Sequence, residues 1–145
     1  MKPTLLILSA FTLLLLSCKK DQQPAPAEIP VQKTVEYHVF AAKDYSAPVY
    51  QNVKADVRLQ VQIINYKTGE QTLVWDSVFS THKVTDFPMY DNKTVIRKTF
   101  PVLDSHQKLN GSYSVRYDDN GYIKQEAFSD EAVPGKTFIL IEADL

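Results

Sequence analysis

Between residues 57 and 63 every second residue is apolar: Val57, Leu59, Val61 and Ile63 alternate with Arg58, Gln60 and Gln62. Successive side chains of an extended strand point to opposite faces, so this spacing gives a strand with one buried and one wetted face. The same alternation runs through Val35, Tyr37 and Val39, and through Leu73, Trp75 and Phe79. Further runs at 94–100, 112–117, 122–128 and 137–143 bring the number of expected strands to about seven. Beyond residue 18, no stretch keeps a 3.6-residue apolar stripe for ten residues. The expected fold is therefore all-β, an antiparallel β-sandwich. Phe138-Ile139-Leu140-Ile141 is apolar at every position, which predicts a central strand covered on both faces.

Gly69, Gly111, Gly121 and Gly135 all fall between these runs, where positive φ is most useful, and two of them allow a register to be argued. A three-residue loop at Lys67-Thr68-Gly69 sets Ile63 opposite Leu73, Val61 opposite Trp75 and Val57 opposite Phe79. A two-residue turn would place Asp76 opposite Val61 on the core side, so the longer loop is expected. For Asp118-Asp119-Asn120-Gly121, a type I turn with a glycine bulge sets Tyr117 against Ile123 and Tyr113 against Ala127. A two-residue Asn-Gly turn would set Tyr117 against Lys124 and Val115 against Glu126. The first is expected, because it pairs apolar residues.

The N-terminus has a different grammar. Lys2 precedes an apolar run at 5–16 broken only by Ser9 and Thr12, too short to span about 30 Å of hydrocarbon. It has the form of a secretory signal, and it closes on Leu15-Leu16-Ser17-Cys18. These residues resemble the lipobox of bacterial lipoproteins. The resemblance implies cleavage before Cys18, acylation of that cysteine and anchoring by its lipid; several acyl chains hold far better than one. Lys19 follows the cysteine, and by analogy with enteric lipoproteins, where an aspartate there retains the protein at the inner membrane, the destination is the outer membrane. The expected organisation is a signal peptide over 1–17, lipidated Cys18 with a flexible linker over 18–32, and the β-sandwich over 33–145. Pro24, Pro26 and Pro30 favour extended backbone in the linker, giving it a reach on the order of 40 Å.

Sixteen basic and seventeen acidic residues leave a net charge of −1, which provides no electrostatic footprint for nucleic acid. Cys18 is the single cysteine, so with its thiol spent on lipid the domain has no internal disulfide. The strand pattern as a whole is similar to immunoglobulin-like and transthyretin-like lipoprotein modules.

Little in the sequence carries catalytic chemistry. His38, His82 and His106 are far apart and show no metal-ligand spacing, so they read as surface histidines and no metal or cofactor is expected. Asp118, Asp119 and Asn120 read as a turn, since the alternating acidic loop of a calcium site is missing. No G-x-S-x-G elbow or phosphate-cradling glycine loop occurs. Asp76-Ser77-Val78 resembles the O-glycosylation sequon of periplasmic proteins in some Gram-negative lineages, although Ser77 falls inside a predicted strand. The aromatics are the remaining signal. Tyr45, Tyr50 and Tyr90 fall in predicted loops beside Pro48 and Pro88, where rings stack on sugars or anchor a protein partner. The expectation is a non-catalytic, lipid-anchored binding or accessory domain with those three tyrosines as the ligand surface. Its alternatives are a structural subunit that docks on an outer-membrane complex by strand-edge pairing and, behind it, a small periplasmic enzyme, which would need a pocket gathering at least two of His38, His82, His106 and the loop aspartates.

Overall fold

The computed structural model describes residues 27–145, apart from the side chains at 80 and 81. The lipobox, Cys18 and most of the tether lie outside the described residues. Seven strands follow one another: β1 (Val31–Phe40), β2 (Lys54–Asn65), β3 (Gln71–Lys83), β4 (Thr94–Val102), β5 (Gln107–Asp119), β6 (Tyr122–Ala132) and β7 (Phe138–Asp144). They form two sheets, one of order β4-β1-β7 and one of order β3-β2-β5-β6, and the fold is an all-β sandwich. Short 3₁₀ turns at Pro48–Tyr50, Val84–Asp86 and Tyr90–Asn92 occupy the two segments expected to be loops.

The alternation places the core as expected. Val35, Tyr37 and Val39 of β1, Val57, Leu59 and Val61 of β2, Val115 of β5 and Ile139, Ile141 and Ala143 of β7 are all buried between the sheets. Tyr37 also donates its hydroxyl hydrogen to the Gln60 carbonyl of the facing sheet. A buried hydroxyl without a partner is costly, so this bond fixes where the large ring can sit. Gly111, expected between strands, lies inside β5 without a positive φ and faces the same spot. A Cβ there would lie 2.6 Å from Ile141 Cδ1 and 2.8 Å from Val35 Cγ1, so this glycine serves close packing of the two sheets.

Four expectations need correction. β7 is an edge strand, with Phe138 and Leu140 partly exposed on one face and Ile139 and Ile141 buried on the other. Its unbroken apolar run reflects a poorly covered outer face. β7 also runs parallel to β1, while every other strand pair is antiparallel. The first and second strands lie in different sheets, whereas in the immunoglobulin arrangement they are neighbours. Finally, the hairpin at Asn120-Gly121 takes the two-residue form: Asp119 pairs with Tyr122, Tyr117 with Lys124 and Val115 with Glu126. Asn120 and Gly121 both have positive φ, 49° and 94°, as the type I′ turn requires.

The first hairpin is right at Val61–Trp75 and Val57–Phe79, for a reason the sequence did not reveal. Asn65 N–H bonds to the Glu70 carbonyl, so the loop has four residues, 66–69. The register shift between Val61 and Gln62 restores the pairing further along, and Leu73 pairs with Gln62 instead of Ile63.

At one end of the sandwich the chain enters the domain. β1 begins at Val31, two residues before the expected boundary, and Glu28 is already tied down. Its carboxylate accepts hydrogen bonds from the Ser105 amide at 3.0 Å and the Ser105 hydroxyl at 2.6 Å. These bonds hold the Glu28 carboxyl below its ordinary pKa.

Candidate functional site

The opposite end of the sandwich is built from the segment after β1, the β5–β6 turn and the end of β7. Tyr45 and Tyr50 meet there edge to face, with ring centroids 5.0 Å apart and planes at 87°. The 3₁₀ turn over Pro48–Tyr50 brings them together, since Pro48 presets the backbone at its start and Tyr50 swings back under Tyr45. Lys43 lies over both rings, 5.1 Å and 4.8 Å from their centroids, and donates to the Tyr50 hydroxyl at 3.2 Å. That hydrogen bond raises the Lys43 pKa.

The two rings form one wall of a cleft of about 350 Å³. Across it stand Tyr117 from β5 and Tyr122 from β6, with Lys124, Glu126 and Asp144 on the rim. Burial pushes the Tyr117 and Tyr45 phenols above their ordinary pKa, so both remain neutral hydrogen-bonding groups at physiological pH. Lys124 is ion-paired with Glu126. Four phenol rings with hydroxyls, the Lys43 ammonium, held over two of the rings without a carboxylate partner among the described residues, and several carboxylates make a surface suited to a ligand with flat apolar faces and many hydroxyls.

Tyr90 does not join this group. Its ring packs edge-on against Phe40 at 5.0 Å and carries Lys93 at 4.1 Å from its centroid, away from the cleft residues. Tyr117 and Tyr122 take its place. The bulged register expected for the β5–β6 turn pairs Tyr117 with Ile123 and turns Tyr122 to the outer face. With the type I′ register, Tyr117 and Tyr122 share the inward face at the open end of the sheet.

The histidines are separated. His38 Nε2 lies 2.8 Å from Glu36 Oε1 on the outer face of the three-stranded sheet, where Arg97 also binds Glu36. These bonds, Arg97 first, lower the Glu36 pKa. His38 is thus half-buried in an ion-pair cluster and not freely solvated. His82 packs against Phe87, and His106 Nδ1 lies 2.7 Å from the Ser105 hydroxyl. Among the described residues, no three of His, Cys, Asp and Glu are grouped to hold a metal ion. Ser77 of β3 lies opposite Leu59, on the inward-facing side of an edge strand and partly covered.

No family model matches the chain, and no curated protein or solved structure matches it significantly.

Proposed function

We propose that the protein is a lipid-anchored, non-catalytic binding protein of the outer membrane, held by Cys18, whose ligand seat is the cleft of Tyr45, Tyr50, Tyr117 and Tyr122. The observation that carries this reading is the assembly of four tyrosines from three separate segments around one cleft. Its position supports the same reading. The chain enters the sandwich at Glu28 and Val31, and β1 carries it to the end where the cleft opens. Ten residues of strand correspond to about 30 Å, so the cleft opens at the far end of the domain from the point where the tether enters it.

The ligand class that fits is a glycan. Sugar rings stack their C–H faces on phenol rings, and Lys43, Asp119 and Asp144 supply hydrogen-bonding groups around them. The test is binding of the full-length protein in detergent to an array of bacterial surface and wall glycans. Tyr50→Ala should weaken the strongest hit by about tenfold, near 1.4 kcal/mol, while Tyr90→Ala leaves it unchanged. Wild-type binding by the Tyr45→Ala and Tyr50→Ala variants would defeat the assignment. The anchoring itself is tested separately: Cys18→Ser should abolish acyl labelling and move the protein out of the membrane fraction.

A further inference from the structure

The two sheets have unequal widths, three strands over four. β5 lies beneath β1 and β7, since Gly111 faces Val35 and Ile141, and Tyr113 Oη lies 3.3 Å from Asp144 Oδ1. The next strand, β6, therefore extends beyond the edge of the smaller sheet. From Tyr122 to Phe128 its inward-facing row is left uncovered, with Tyr122 75% and Phe128 51% exposed, and only toward Ala132 is it buried. Between β6 and the edge of β7 runs a groove of about 330 Å³ lined by Tyr113, Phe128, Leu140, Glu142 and Asp144.

The backbone of β7 faces this space with its hydrogen-bonding groups. Leu145 donates to the Phe40 carbonyl and accepts from the Ala42 amide, and the Thr137 carbonyl accepts from the Thr34 amide. Along a strand, alternate residues turn their N–H and C=O to opposite edges. The odd-numbered residues of β7 therefore bond β1, and Phe138, Leu140 and Glu142 direct theirs to the open edge.

The other three edges carry devices that discourage strand addition along their length, whereas on β7 the charges are confined to Glu142 and Asp144 at its C-terminal end. β3 has register shifts at two places, β4 carries Arg97, Lys98 and Pro101, and β6 is charged at Lys124, Glu126, Asp130 and Glu131. Bulges, prolines and charges are the usual protection of an edge. Phe138-Ile139-Leu140-Ile141 has none of them, and Phe138 and Leu140 are 44% and 43% exposed.

We propose that the open edge of β7 receives an extended segment of a different polypeptide, which pairs as an eighth strand over the groove between β6 and β7. A second copy of this chain does not fit. Two β7 strands paired across a two-fold axis would drive each projecting β6 into the space of the other copy's β5. The segment is basic and apolar by turns: Tyr113 and Phe128 offer apolar contact, while Glu142 and Asp144 rim the groove and the nearby Lys124 is already paired with Glu126. Main-chain bonds would supply affinity and the side-chain contacts selectivity. The inference is independent of the glycan reading, since it rests on the edge of β7 and not on Tyr45 or Tyr50.

The test follows amide exchange by nuclear magnetic resonance in the full-length protein in detergent micelles. The probe is a capped peptide of four Lys-Val repeats, compared with a Glu-Val peptide and with a Lys-Val peptide methylated at every backbone nitrogen, so that neither of its edges can donate. The Lys-Val peptide should slow exchange at Phe138, Leu140 and Glu142 by about tenfold or more, and the other two should not. Leu140→Pro removes an outward donor that β1 does not use, and should abolish the protection while the circular dichroism stays that of the parent. Should that variant fail to fold, the methylated peptide still decides. Absence of protection with saturating Lys-Val peptide, or equal protection by the methylated one, overturns the proposal. So does protection without peptide that grows with protein concentration, which would seat a second copy there.

Discussion

Lys33 points inward from the start of β1 and is fully buried, yet none of its hydrogens is wasted. Its ammonium lies 2.7 Å from Asp104 Oδ1 and donates to the Ala132 and Val133 carbonyls at 2.9 and 2.7 Å. One side chain thereby ties β1, the β4–β5 loop and the end of β6 together at the end where the chain enters. Lys33→Met keeps the stem but strands a carboxylate and two carbonyls, and should cost about 3 kcal/mol by urea unfolding. The loss should shrink with acid. The Lys33 hydrogen bond, followed by the Gly135 amide, lowers the Asp104 pKa, so its contribution is present above the ordinary carboxyl range near 4 and is lost as pH falls below it. The difference between parent and variant measured at pH 7 should therefore exceed that at pH 3. Gly111→Ala makes a different test of the same interior: its Cβ has no room before Ile141 and Val35, and overpacking should cost about 1–3 kcal/mol.

The β5–β6 hairpin shows how one turn decides a surface. Asn120 and Gly121 both sit in the left-handed region, and a Cβ on Gly121 would touch nothing. Gly121→Ala should thus destabilise by about 1 kcal/mol for conformational reasons alone, with the denaturant slope unchanged. A larger cost with a changed slope would mean that the hairpin register had shifted. The type I′ twist matches that of the flanking strands, and this outweighs the better apolar pairing of the alternative register. Sequence reasoning weighed Ile123 and Ala127 as inward residues. The inward row of β6 instead projects past the smaller sheet over residues 122–128, where Lys124 and Glu126 are as acceptable as apolar side chains.

At the scale of the whole molecule, the sandwich is held by side-chain packing with tyrosines at its seams. Burial raises the phenols of Tyr37, Tyr113 and Tyr117 above their ordinary pKa, Tyr113 to about 12, with Asp144 adding to the effect at Tyr113. The unfolded chain ionises these groups first, so their contribution is complete below about pH 10 and is lost as pH rises toward 12. Phenolate absorbance should rise in two phases, the later one coinciding with loss of the β-sheet circular dichroism. A single early phase for all eight tyrosines would contradict the buried positions.

Local chemistry alone determined the strands, the inward residues Val35, Val57, Leu59, Val61 and Ile141, the turn positions, and Tyr45 and Tyr50 as rings without a strand to explain them. These depend on backbone alternation and on what water accepts at each position, and both are written residue by residue. Strand neighbours were decided by the tertiary structure: β1 between β4 and β7, with β7 parallel and at an edge. Alternation is the same whichever way a strand runs and whichever strand lies beside it. The site followed from that choice. Tyr117 and Tyr122 became a wall of the cleft because the β5–β6 turn brings both to its inward face, and Tyr90 fell outside it because its ring packs against Phe40.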